Sequence, residues 1–323
     1  MNILITGASG YIGSQLVHLL RKKNEELTQP SKIIATDLRE TPAYDLDEFT
    51  EHVRMDVRSE DISVLMKEKA IDTVVHLATI VTPGKKSNRE FEYSVDVLGT
   101  ENVLQACVES NVKRIIISSS GAAYGYHADN PEWINEDTAL RGNEEFAYSD
   151  HKRIVEEMLE MYREKHPGLE QVIFRIGAIL GKGVDNQITK LFEKRYLLGI
   201  TGSDSPFVFI WDEDVIGCMV KGIYGEEVGI YNVAGDGTLT IDQIAEKLNK
   251  KVVRIPAWLI KGTLFILKRL RLTQYGEEQV NFLRYRPVLL NERLKNEFDY
   301  IPTYTTEEVF DMVMNHKKTW KSG

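Results

Sequence analysis

The first half of the chain alternates short, nearly continuous apolar runs with longer stretches whose apolar residues recur at helical spacing. The runs predict strands at 2–6, 32–36, 71–76, 113–118 and 171–175. The periodic stretches predict helices at 11–24, 59–69, 88–110 and 146–166. Runs such as Ile115-Ile116-Ile117 read as strands buried on both faces. This alternation predicts an α/β fold: a doubly wound parallel sheet with right-handed crossovers and helices on both sides. Beyond about residue 176 the pattern is less regular. It predicts strands at 206–210 and 229–233 and helices near 213–222, 240–249, 256–271 and 305–319. The expected organisation is a nucleotide-binding domain over 1–175, with a return excursion near 206–233, and a smaller, mainly helical substrate domain over 176–323.

The stretch Pro256 to Leu272 (PAWLIKGTLFILKRLRL) is apolar and then basic. A membrane-surface helix has this composition. Lys261 and Gly262 interrupt the apolar part, so a core helix of the smaller domain, with a basic end suited to the helix dipole, is the preferred reading.

The most informative motif lies between the first strand and the first helix. Thr6 to Gly13 reads T-G-A-S-G-Y-I-G. Gly7 permits a tight turn, Gly10 lets backbone approach a pyrophosphate at the helix N-terminus, and Gly13 allows close helix–strand packing. Asp37 closes the second strand, where a carboxylate accepts from adenosine ribose hydroxyls and repels a 2′-phosphate. NAD is therefore expected over NADP, although nearby Arg39 is the kind of residue that receives such a phosphate. Met55-Asp56-Val57 is placed beside the adenine, with Asp56 as acceptor.

Tyr148 and Lys152 share one face of a predicted helix. A lysine beside a phenol favours the phenolate, so Tyr148 is expected to have a lowered pKa and to exchange a proton with substrate. Upstream, Ser118, Ser119 and Ser120 leave the carboxyl end of a buried strand, where ligands sit in such sheets. Ser120 is the choice for holding the reacting oxygen.

Composition narrows the remaining classes. The 323 residues are 42% hydrophobic and 28% charged, with a net charge of −9 from 40 basic and 49 acidic side chains. That balance argues against nucleic acid as the main partner. Cys107 and Cys218 sit in apolar helical patterns and read as buried thiols, without metal-ligand spacing. No basic-apolar leader is expected, because the first apolar run is the first strand itself, and no apolar stretch of bilayer length occurs. A small-molecule substrate, no membrane partner and a reducing cytoplasm are expected.

These motifs together resemble the extended branch of the short-chain dehydrogenase/reductase family, which includes the NAD-dependent epimerases and dehydratases. The matching residues are Thr6 to Gly13, Asp37, Asp56-Val57, His76-Leu77-Ala78, Gly99-Thr100, Asn102-Val103, Ser118 to Gly125, Tyr148 with Lys152, and Phe174-Arg175. The resemblance implies a Rossmann domain and a triad of Ser120, Tyr148 and Lys152. It implies that Gly7, Ser9, Gly10, Tyr11, Ile12, Gly13, Leu77, Ala78 and Ser118 lie along the dinucleotide, with Lys152 on the nicotinamide ribose. It also implies a homodimer formed through the helices at 88–110 and 146–166.

Three departures concern the substrate. Nucleotide-sugar members usually have asparagine where this chain has Asp96. They usually show asparagine and a Tyr-Gly-Pro-like string after the Phe-Arg strand, where Ile176 to Lys182 stands here. They often carry an arginine-aspartate pair where Phe207 to Ile210 stands. The reading is an NAD-dependent oxidoreductase or epimerase acting at a secondary alcohol or carbonyl. A nucleotide-sugar epimerase or dehydratase and a non-catalytic dinucleotide-binding regulator are the alternatives. Weak binding of UDP- and dTDP-sugars is expected, unless Lys182, Lys190, Lys194 and Arg195 form a diphosphate clamp.

Overall fold

The computed structural model describes residues 1–320 apart from 82–87, 185–186, 205, 271, 273–275 and 277–278. Its first part runs β1 (Asn2–Thr6), α1 (Tyr11–Asn24), β2 (Lys32–Asp37), β3 (Thr50–Arg54), α2 (Asp61–Glu68) and β4 (Thr73–His76). Next, α3 (Arg89–Tyr93) passes through a π-turn (Ser94–Leu98) into α4 (Gly99–Glu109). β5 (Arg114–Ser120), α5 (Ala147–Lys165) and β6 (Glu170–Ile176) complete this part.

The second part holds β7 (Ala178–Leu180), α6 (Gln187–Glu193), β8 (Tyr196–Ile200), β9 (Phe209–Trp211), α7 (Asp212–Tyr224) and β10 (Gly229–Val233). It ends with α8 (Ile241–Leu248), β11 (Lys251–Ile255), α9 (Ala257–Arg269), α10 (Gln279–Arg284), α11 (Glu292–Asn296) and α12 (Thr306–Trp320).

Seven strands form one parallel sheet in the order β10-β6-β5-β4-β1-β2-β3. This is the Rossmann-type doubly wound architecture that the sequence pattern predicts. Alternate residues of each strand feed opposite faces. Ile3, Ile5, Ile33, Ala35, Val75 and Ile116 pack with Leu16, Val17 and Leu20 of α1 and Met219 of α7. Leu4, Ile34, Val74, Ile115 and Ile117 pack on the other face with Leu65 of α2, Leu104 of α4 and Leu159 of α5. The chain does return to the sheet after leaving it, because β10 pairs with β6 from Gly229↔Val172 to Val233↔Ile176. Cys107 and Cys218 are buried free thiols.

A third core fills the smaller lobe. Phe192, Phe207, Phe209 and Phe310 stack and meet edge-on there. Two short parallel pairs, β7–β9 and β8–β11, frame it. Most of these strands and the edge strand β3 carry no long apolar run, so only β9 was anticipated, and it lies later than expected.

One expectation fails outright. The helix predicted at 256–271 is present as α9, but it is not a core helix: none of its residues is buried. Apolar content alone does not distinguish a helix that packs inward from one that faces out.

Candidate active site

The site is a cavity of about 410 Å³ at the carboxyl ends of the central strands. Its wall contains Gly7, Gly10, Tyr11, Ile12, Gly13, Leu77, Ser118, Ser120, Tyr148 and Lys152, so most of the sequence-predicted site residues converge. Ser9, Asp37, Asp56, Val57 and Ala78 do not line it. Parallel strands deliver their C-terminal loops to one edge, which brings residues far apart in sequence to one place.

The glycine loop fits a dinucleotide. Gly7 has φ +68, and a Cβ there would lie 2.8 Å from the Ala78 amide nitrogen. A Cβ on Gly13 would lie 2.4 Å from the Gly7 carbonyl oxygen. Side chains at these positions would fill the cradle and push α1 from β1. Gly10 is the N-cap of α1; no described side chain caps it, and the first turn has no acidic residue. The positive end of the helix is thus left for an anion such as a pyrophosphate.

Asp37 stands at the end of β2. Its carboxylate accepts from the Ser9 amide at 3.0 Å and from the Arg39 amide at 3.0 Å. The Arg39 guanidinium turns back to the Ser9 carbonyl at 2.9 Å. Asp56 lies at the same sheet edge, since Met55 N donates to Asp37 O at 2.9 Å. Its carboxylate is paired with Arg58 at 2.6 Å, which holds it below the usual carboxylate range.

The catalytic candidates meet where β5 faces α5. Lys152 Nζ donates to the Ser118 carbonyl at 2.8 Å and lies 5.8 Å from the centroid of the Tyr148 ring. Ser120 ends β5, and its hydroxyl accepts from Ala122 N at 3.2 Å. The expected lowering of the Tyr148 pKa is not found. Burial pushes the phenol up to about 12, against the Ser120 hydroxyl, which lowers it, and the charge of Asp96 raises it further. The ammonium of Lys152 is directed at a backbone oxygen rather than at the phenol oxygen. Burial also lowers the Lys152 pKa, against the pull of Asp96 and Glu156.

Around Ser120, Tyr148 and Lys152 lies a polar network that the local sequence patterns do not announce. Asp96 Oδ2 pairs with His151 Nδ1 at 3.1 Å, and Asp96 Oδ1 accepts from Thr79 Oγ1 at 2.9 Å and Ile80 N at 2.8 Å. The aspartate in place of the usual asparagine therefore has a partner on α5, the helix that carries Tyr148 and Lys152. His76 bridges Thr6 Oγ1 at 2.7 Å and Thr100 Oγ1 at 3.0 Å. Its burial, reinforced by the charge of Lys152, depresses its pKa to about 3, so it stays neutral. Arg175 and Glu156 form a buried ion pair at 2.7 Å that also holds Ser119, at 2.5 Å from Glu156.

The largest omission is Arg286. It lines the cavity with Tyr126, Phe146, Phe207 and Phe282. Its guanidinium lies 3.8 Å from the Phe207 ring centroid and 5.5 Å from that of Phe282. Burial lowers its pKa to about 9, so it remains charged at neutral pH. Arg284-Tyr285-Arg286-Pro287 was the available signal. By contrast Lys182, Lys190, Lys194 and Arg195 are exposed and do not line the cavity.

Residues 3–208 match the family described as NAD dependent epimerase/dehydratase. The chain belongs to that family. It is accordingly an enzyme, and NAD is the family's cofactor. An uncharacterised protein of Mycobacterium tuberculosis is 23% identical over 313 residues, covering 96% of this chain and 82% of that protein. The UDP-glucose 4-epimerase of Halalkalibacterium halodurans is 32% identical over 178 residues, covering 54% of this chain and 50% of that enzyme. In fold, the chain is similar to the UDP-glucose 4-epimerase of Thermotoga maritima, crystallised with UDP-glucose: TM-score 0.74, 18% identity, 99% of both chains.

The position of Asp37 predicts tighter binding of NAD(H) than of NADP(H), because a 2′-phosphate would meet its carboxylate. Titration calorimetry with both cofactors checks this. Tighter NADP(H) binding would contradict it and implicate Arg39.

Proposed function

We propose that this enzyme oxidises or reduces a secondary alcohol or carbonyl of an anionic, diphosphate-bearing substrate, with Tyr148 as acid/base. The observation that carries the reading is the convergence of Ser120, Tyr148, Lys152 and the glycine cradle on one cavity that also contains Arg286. When bound, NAD accepts and returns a hydride. Gly7, Gly10 and Gly13 would seat its pyrophosphate, Asp37 its adenosine ribose and Lys152 its nicotinamide ribose.

The remaining chemistry belongs to this chain's own side chains. Ser120 orients the substrate oxygen. The Tyr148 hydroxyl gives a proton to a carbonyl oxygen during reduction, and its deprotonated phenolate takes one from an alcohol during oxidation. The neutral phenol present at pH 7 is the form ready for reduction. Apolar walls from Ile176, Ile179 and Leu289 exclude water from the reacting centre. If the oxidised product stays bound and is reduced on its other face, the outcome is epimerisation. If it leaves, the outcome is net oxidation.

Arg286 changes the expectation for the substrate. Lys182, Lys190, Lys194 and Arg195, the cations considered from the sequence, lie outside the cavity wall, whereas Arg286 lies in it. Stacking on Phe207 limits the rotamers open to Arg286, so pairing with an anion would need little further ordering. Arg286→Gln is expected to weaken UDP-glucose or UDP-glucuronate about 10- to 100-fold, the loss of one charged hydrogen-bond pair. Calorimetry on NAD-loaded protein checks this. Equal affinity in wild type and variant, or binding only of uncharged carbonyl compounds, would contradict it.

A further inference from the structure

The outward face of α9 calls for a partner. Trp258, Phe265, Ile266 and Leu270 are 73%, 55%, 57% and 61% exposed, and Leu272 just beyond is 71% exposed. With Leu259 they form one stripe along the helix, at the spacing of successive turns. Ile260, Leu264 and Leu267 lie on the less exposed side. A contiguous apolar stripe of this size is unusual on the surface of a soluble protein.

The charges carried by the segment itself are of one sign, although Lys247 and Arg254 are paired with acids from outside it. No aspartate or glutamate occurs from Lys247 to Gly276, whereas that segment holds eight lysines and arginines, in a chain of net charge −9. Lys261, Lys268 and Arg269 lie on the helix itself. Upstream, β11 adds exposed Lys251 and Val253. An apolar stripe with tryptophan and phenylalanine, bordered by cations, matches the interface of an anionic bilayer, where rings enter the headgroup boundary and cations meet lipid phosphates. A second copy of this face fits poorly, since it would set like charges against each other. The helix has 13 residues, about 20 Å, and so is too short to cross a hydrocarbon core of about 30 Å. No helix among the described residues is long and apolar enough to do so.

We propose that α9 is a peripheral docking helix that seats the enzyme on an anionic membrane surface, lying in its plane. The helix packs against α10, which carries the cavity residue Phe282. Docking therefore places lipid beside the helix that forms one wall of the active site. This inference is independent of the chemistry assigned to the cavity.

Co-sedimentation of the full chain with vesicles tests it, using phosphatidylcholine alone and phosphatidylcholine with about one-third phosphatidylglycerol. Wild type is expected to pellet with the anionic vesicles at least about tenfold more strongly than with the neutral ones. W258S/F265S is expected to lose about tenfold or more of that binding, and K268Q/R269Q to fall to the neutral-vesicle level. Both pairs are exposed, so circular dichroism and NAD affinity should match wild type. Three results would overturn the proposal. Wild type could remain in the supernatant with anionic vesicles. W258S/F265S could pellet as wild type does. Ultracentrifugation could reveal a lipid-free dimer that W258S/F265S dissolves, without vesicle binding.

Discussion

Tyr148→Phe is expected to slow turnover by about 10²–10⁴ while leaving the fold and NAD binding unchanged. The substitution removes one hydroxyl and retains the ring, which packs near Phe146 at a centroid distance of 6.4 Å. The pH dependence distinguishes an acid/base from a packing residue. Burial holds the phenol at about 12, so the proton is present throughout the neutral range. Oxidation needs the deprotonated form, and its rate should rise with pH toward the phenol's pKa. Reduction uses the protonated form, and its rate should fall as pH passes the same point. Tyr148→Phe should lack both limbs. Near-normal turnover, or an unchanged pH profile in the variant, would remove Tyr148 from the role.

The largest loss of stability is expected at Arg175. Its guanidinium makes several hydrogen bonds to Glu156, donates to Tyr124 Oη at 2.8 Å and to the Glu136 carbonyl at 2.9 Å. The side chains of Arg175 and Glu156 are only 5% and 2% exposed. Arg175→Met strands a buried carboxylate, and breaking such a pair costs about 3–5 kcal/mol. Arg175→Met with Glu156→Gln should recover much of this, because the uncompensated charge is gone. Urea unfolding of wild type, each single variant and the double variant checks the cycle. A loss below about 1 kcal/mol for Arg175→Met would show that Glu156 finds another partner.

The central sheet was legible because its strands are buried on both faces and carry continuous apolar runs, as Ile3-Leu4-Ile5 does. The edge strand β3 was not, since Thr50 to Arg54 holds one apolar residue, Val53, on a half-exposed surface. In the site, the glycines, the serine run and Tyr148 with Lys152 are local patterns whose spacing has meaning within one turn or one helix. The missing pieces are long-range. Asp96 and His151 are 55 positions apart, and nothing in either neighbourhood announces the other. Arg286 reaches the cavity only because the chain returns over the small lobe and stacks it on Phe207. The α9 helix shows the same boundary, since its composition was clear and its orientation depends on the surrounding fold.

Proton transfer by Tyr148 coupled to cofactor reduction in this cavity is the step on which the proposed activity depends. The most direct measurement adds UDP-glucose or UDP-glucuronate to NAD-loaded protein and follows the near-ultraviolet absorbance of reduced nicotinamide over a single turnover. Wild type should show the band appear, transiently if the product stays bound for return. Tyr148→Phe should show it slowed by about 10²–10⁴ at equal substrate occupancy. The same band appearing at the same rate in both proteins would contradict the account.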